Sequence, residues 1–148
     1  MKRLKLTPSI EDYVKTIYDI SKKSKVVRVK DLSRSLNVKM PSVVNAVKTL
    51  ESKGLVKHEN YGYIELTQLG ERIGEELKNK HEILAEFLIK VLQIDRETAL
   101  KDACSIEHYL NPKTVDRVVR LLEFLKANPE YSRWIEQFRL YLMDGGKG

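Results

Sequence analysis

Cysteine is nearly absent. The chain has one, Cys104, in 148 residues, so it cannot form an internal disulfide. No apolar run approaches the ~18 residues that a membrane-spanning helix needs, so no membrane span is expected. The opening residues, Met1 to Ser9, are basic, but no apolar stretch of the signal-peptide kind follows them. With a lone thiol and no export signal, the expected location is the reducing cytoplasm. Internal repeats and low-complexity linkers are missing. So are the sequence marks of catalysis: there is no nucleophile elbow, phosphate-binding loop or hydrolase motif. The chain is therefore not expected to be an enzyme, and no small organic substrate is expected.

Acidic residues are scarce in the first part of the chain. Residues 1–60 hold fourteen Lys and Arg against six Asp and Glu, whereas residues 61–148 hold thirteen against fifteen. The basic part is a candidate for nucleic-acid binding. A solvated lysine-rich surface explains charge alone equally well. A length of 148 residues is enough for one or two small domains with a core.

The periodicity predicts a mainly α fold. Thr7-Pro8-Ser9 starts a helix, with Glu11 and Asp12 in its first turn and an apolar stripe of Ile10, Tyr13, Val14, Ile17 and Ile20 running to about Ser21. A polar turn at 21–25 and a short extended stretch at 26–29 precede a second helix from Asp31 to Leu36. After a turn at 37–40, Pro41 opens a third helix with Val43, Val47 and Leu50 inward, and Gly54 ends it. Two short helices joined by a tight turn form a helix-turn-helix. Strand-like runs at 55–58 and 63–66 flank a turn at 59–62, which makes the expected unit a winged helix. A long helix should then run from Thr67 to about Leu92, weakened near its start by Gly70 and Gly74. Three more helices follow: Asp95 to Leu110, Pro112 to about Ala127, and Tyr131 to Met143. The expected domains are residues 1–72, a DNA-binding winged helix with a small β-hairpin, and residues 73–143, all helical. Residues 144–148 are expected to be a disordered tail.

Within the fifth of these helices, Cys104, Glu107 and His108 fall at i, i+3 and i+4 and should share a face. A thiolate, a carboxylate and an imidazole together suit a divalent transition metal. Further ligands must come from elsewhere. His81 is the odd member of the stripe Leu77, His81, Leu84, Leu88 and Val91. Each residue also has a plainer reading: Cys104 as a small buried hydrophobe, His81 as a satisfied core histidine, Asp12 as a helix-dipole charge, and Glu107 as the orienter of a ligating histidine. On the third helix, Ser42, Val44, Asn45 and Lys48 lie outside the buried stripe, with Lys39 just before them. Asn45 suits an adenine edge, Val44 a thymine methyl, and Ser42 and Lys48 phosphates. Arg28, Lys30 and Lys57 are candidate backbone contacts.

In order and spacing, several segments resemble the diphtheria-toxin-repressor family of metal-dependent transcription regulators. They are Pro8-Ser9-Ile10-Glu11-Asp12-Tyr13, Thr16-Ile17-Tyr18, Pro41-Ser42-Val43, Gly54-Leu55-Val56, Leu66-Thr67 with Gly70, Lys80-His81, and Cys104 with Glu107-His108. The resemblance covers nearly the whole chain and is to the short two-domain type, which includes the manganese transport regulators. It implies a metal set of Asp12, His81, Cys104, Glu107 and His108, a homodimer, and a double-stranded DNA operator. Fe²⁺ or Mn²⁺ is the implied ion, with Co²⁺, Zn²⁺ and Ni²⁺ as surrogates. The implied function is repression of iron or manganese uptake genes.

Two features depart from the family. Cys104 matches the iron branch, whereas Asp12 matches the manganese branch. The manganese branch has a glutamate where Lys15 stands, and the iron branch's second site maps to Ala85 and Leu100 after His81. One metal ion per subunit is therefore expected. The competing expectation is a winged-helix regulator that answers to an organic ligand, or to redox at Cys104, without metal.

Overall fold

The protein is described by a computed structural model covering residues 4–59 and 62–146. It divides into two units, Met1–Lys78 and Asn79–Gly148.

The first unit begins with α1 (Pro8–Lys23). The Thr7 hydroxyl accepts the Ile10 N–H at 3.3 Å, and Pro8 takes the first helical position, where a missing N–H is no loss. Tyr13, Val14, Ile17 and Tyr18 form its buried face. A two-residue strand, β1 (Val27–Arg28), leads into α2 (Val29–Leu36). This helix starts two residues before the expected Asp31. The cause is Asp31 itself, whose carboxylate accepts the Arg28 N–H at 2.9 Å and closes the first turn from within. Asn37, at φ 53°, ends α2 in the left-handed region that short polar side chains tolerate. Helix α3 (Met40–Ser52) follows and buries Val43, Ala46, Val47 and Leu50. Gly54 reverses the chain at φ +71°, a conformation that costs a residue with a side chain.

Strands β2 (Val56–His58) and β3 (Tyr63–Leu66) make the antiparallel wing, with Val56 opposite Leu66 and His58 opposite Ile64. In the expected turn between them, Asn60 and Tyr61 lie outside the described residues. Strand β1 pairs on the other edge of β3, Val27 against Ile64, so the sheet order is β1-β3-β2. The extended stretch at 26–29 thus becomes a sheet strand. Val14, Ile17, Leu32, Val43, Val47, Leu50, Leu55 and Ile64 build a core that excludes water almost completely.

Helix α4 (Gln68–Glu86) packs its first turns on this core through Leu69, Ile73 and Leu77. Here Gly70 and Gly74 are close-approach positions rather than simple weak points. A Cβ on Gly70 would collide with the Leu55 carbonyl oxygen, and one on Gly74 would come within 2.7 Å of the Tyr18 Cβ. Lys22 and Lys78 add ion pairs to Glu71 and Asp19 at 3.1 and 3.4 Å.

In the second unit the expected helix to Leu92 does not continue unbroken. The α geometry stops at Glu86, and Phe87–Val91 form a π-helical segment in which the Leu92 N–H reaches back to the Phe87 carbonyl at 3.2 Å. Gln93, at φ 58°, ends it, and its side-chain amide donates to the Lys90 carbonyl at 2.7 Å. Helix α5 (Arg96–Ile106) is capped by Asp95, which accepts the Thr98 N–H at 2.9 Å. It stops short of the expected Leu110, with Glu107 as its C-cap and His108 in the turn beyond. Asn111 caps α6 (Pro112–Ala127), and α7 (Tyr131–Met143) follows.

The buried set of this unit is small: Leu84, Ala85, Ala99, Ala103 and Leu122, with Leu88, Leu100 and Leu110 packed against it. The apolar rows of α6 and α7 are mostly uncovered, and Phe124, Trp134, Leu140 and Met143 are 60%, 45%, 52% and 77% exposed. Asp144–Gly146 form a turn in which the Gly146 N–H bonds to the Tyr141 carbonyl at 3.0 Å. Residues 147 and 148 lie outside the described residues.

Candidate functional site

Glu107 is the one fully buried charged residue among the described residues, at 0% exposure. An ionised carboxylate accepts hydrogen bonds and donates none, so its burial calls for cationic or N–H partners. Two imidazoles meet it. His81, from the later part of α4, brings Nδ1 within 2.7 Å of Oε2. His108, in the turn after α5, brings Nε2 within 3.7 Å of Oε1. Cys104, one turn earlier on α5, places Sγ 3.8 Å from His81 Nδ1. The helix-face spacing that joined Cys104 and Glu107 survives, although the helix has ended by His108. His81, which sequence spacing could not connect to the others, comes to them through folding.

The donor set has one thiol, one carboxylate and two imidazoles. That mixture fits a borderline-soft divalent ion and would be an odd apolar core. It also supports both readings of Glu107, since a carboxylate at 2.7 Å from an imidazole nitrogen can orient a ligand as well as be one.

Asp12 belongs to the first unit, on α1. Its carboxylate is 42% exposed and lies 3.9 Å from the Lys15 ammonium, one turn along the same helix. Ala85 and Leu100, the positions where a second metal would be expected in the iron branch, both pack in the apolar cluster of the second unit. Neither side chain offers a ligand atom.

The outward face of α3 is as the spacing implied. Lys39, Ser42, Asn45 and Lys48 are exposed, and Val44 is half-buried. Arg28, Lys30 and Lys57 are exposed as well. Arg28 is held in place: its guanidinium donates to the Tyr63 hydroxyl at 3.4 Å and sits 5.3 Å from that ring's centre. Met40, expected in the turn before Pro41, instead opens α3 and is 50% exposed.

A winged helix followed by a helical unit with a Cys-His-Glu-His cluster defines a class, the metal-responsive regulators of transcription. Residues 5–64 match the family model described as the iron dependent repressor N-terminal DNA binding domain, and residues 67–136 match the iron dependent repressor metal binding and dimerisation domain. The chain belongs to this iron-dependent repressor family, the group its sequence resembles, and is a metal-dependent DNA-binding transcription regulator rather than an enzyme.

Among its relatives, the HTH-type transcriptional regulator MntR of Lysinibacillus sphaericus (strain C3-41) is 33% identical over 130 residues, covering 88% of this chain and 93% of that one. The protein of the same name from Bacillus subtilis (strain 168) is 33% identical over 122 residues, covering 82% and 85%. Of solved structures, the manganese regulator SloR aligns with a TM-score of 0.71 at 28% identity over 80% of this chain. A manganese-dependent transcriptional repressor in complex with manganese aligns with a TM-score of 0.72 at 25% identity over 78%. This chain spans 55% and 53% of those two structures. No helix among the described residues is long and apolar enough to cross a membrane.

Proposed function

We propose that the chain represses iron or manganese uptake genes by binding an operator as a homodimer when Fe²⁺ or Mn²⁺ is present. The observation that carries this reading is the grouping of His81, Cys104 and His108 around the buried Glu107. These four residues, with Asp12 from the first unit, would hold the ion. When bound, the ion supplies positive charge to the carboxylates and the thiolate and so removes their mutual repulsion. Asp12 makes the DNA-reading unit a party to the same ligand set. The reading helices of the dimer then keep one spacing, which on B-DNA must be roughly 34 Å or a multiple of it. The gain in operator affinity should be about 1–3 kcal/mol, the usual range of coupling between two sites.

Cys104 favours the softer Fe²⁺ and Asp12 the harder Mn²⁺. The relatives named for manganese support the second ion. The apolar Ala85 and Leu100, and the ammonium of Lys15 beside Asp12, favour one ion per subunit. Asn45 would read a base edge, with Val44 against a thymine methyl, and Ser42, Lys39, Lys48, Arg28, Lys30 and Lys57 would supply the phosphate contacts.

The test is fluorescence anisotropy on operator DNA with Mn²⁺ and, without oxygen, Fe²⁺, for the native chain and Asp12→Ala. The native protein should bind more tightly with metal. Asp12→Ala should keep the metal-free affinity and lose the increment. A full metal response in Asp12→Ala would remove Asp12 from the ligand set.

A further inference from the structure

The first unit hides its large hydrophobic side chains well. Among its described residues only Leu4 and Met40 stand more than a third exposed, at 41% and 50%. Met40 opens α3, and Val44 lies four residues on, so the two share a helix face. On the helix that face flanks the buried row of Val43, Val47 and Leu50, yet neither Met40 nor Val44 belongs to the unit's core. Lys39 precedes the apolar pair in sequence and Lys48 follows on the next turn, and Lys30, Arg34 and Lys57 are exposed in the same unit.

An apolar spot inside a basic surface calls for a polyanion that also offers an apolar group. Duplex DNA does so in its major groove, where the C5 methyl of thymine is the apolar feature. Double-stranded RNA has no such methyl, and its major groove is too narrow for side chains to read. Met40 suits the task, because an unbranched thioether can mould itself to a small target.

We infer that Met40 and Val44 together seat a thymine methyl, so that Met40 determines operator specificity at one position of each half-site. This rests on the DNA-binding reading of α3. It adds a residue and a base identity to that reading.

A random duplex library is enriched on the full chain saturated with Mn²⁺. Each thymine of the selected duplex is then replaced in turn by uracil, which removes only the methyl. At one half-site position, uracil should weaken the native protein about fourfold, the gain from burying one methyl group. Met40→Ala should lose most of that thymine preference at that position, with Val44 keeping the remainder. Its salt dependence should match the native slope, because no phosphate contact is lost. Alanine is the best helix former, and circular dichroism will verify that α3 stays folded. If no position responds to uracil, or if Met40→Ala keeps the full fourfold effect, the methyl reader is wrong while DNA binding stands. If the native chain enriches no sequence, both readings fall.

Discussion

At the scale of single residues, Lys15 separates this chain most sharply from a two-ion design. Its side chain is 12% exposed and its ammonium lies 3.9 Å from the Asp12 carboxylate, so a positive charge already stands beside that candidate ligand. A protonated amine cannot ligate and repels a nearby cation. Lys15→Glu should therefore raise the metal bound per chain from one ion towards two in equilibrium dialysis against Mn²⁺. An unchanged stoichiometry would show that Lys15 does not exclude the second ion. Much of the candidate site was legible at this scale. Cys104 and Glu107 share a helix face, and residue chemistry marked them as candidate ligands. The total burial of Glu107 was not legible, because it depends on His81, which is 26 positions earlier in sequence. Nor was the place of Met40 on α3, since position 40 reads as the end of the turn before Pro41.

At the scale of elements, the helices were legible wherever a cap and a periodic stripe agreed. Thr7-Pro8, Asp95 and Asn111-Pro112 each cap a helix close to the expected start. What escaped was set by tertiary contact. The π segment at Phe87–Val91 falls within a run whose apolar spacing reads as ordinary helix, so periodicity could not reveal it. Gly70 and Gly74 appeared as weak points until packing showed why they are small. Gly74→Ala would gain up to about 1 kcal/mol of helix propensity, but it forces a methyl onto Tyr18. A net loss of about 1–3 kcal/mol is expected in urea unfolding. A stabilised variant would mean that Tyr18 moves aside freely.

Glu86 links α4 to α6 through Lys126 at 2.7 Å and accepts from Lys90 at 3.3 Å. The hydrogen bond from Lys126, then that from Lys90, holds its carboxyl below its ordinary value of 4.5. A carboxyl depressed in the folded state adds stability that is present above the ordinary value and is lost as pH falls through the depressed one. Stability should thus fall with acid below about pH 4.5, and less steeply in Glu86→Gln. Equal slopes in thermal melts would mean that the pairs do not contribute.

At the scale of the whole molecule, the second unit exposes more apolar surface than a lone copy should. Leu121 and Phe124 on α6 are 40% and 60% exposed, and Trp134, Leu140 and Tyr141 on α7 are about half exposed. The broad apolar face of α6 was visible in the sequence, and the family model names this region a dimerisation domain. A second copy covering that face accounts for it. The double variant Leu121→Glu, Phe124→Glu should sediment as a folded monomer and lose most operator affinity, since two linked reading heads become one. A variant that stays dimeric would place the interface elsewhere. The charge split of the chain belongs to this scale too. Its basic first part marked a candidate nucleic-acid surface, which charge alone could not tell from a solvated one.

The central claim is that one metal ion answers to Cys104 together with its histidine and glutamate neighbours, and the most direct test is spectroscopic. The metal-free protein is titrated with Co²⁺ in the absence of oxygen, beside Cys104→Ser. A thiolate-to-cobalt charge-transfer band that saturates at one ion per chain and vanishes in the variant is the predicted result. The same spectrum in both proteins, or no binding at all, would contradict the claim and leave a winged-helix DNA binder whose signal is not a metal at Cys104.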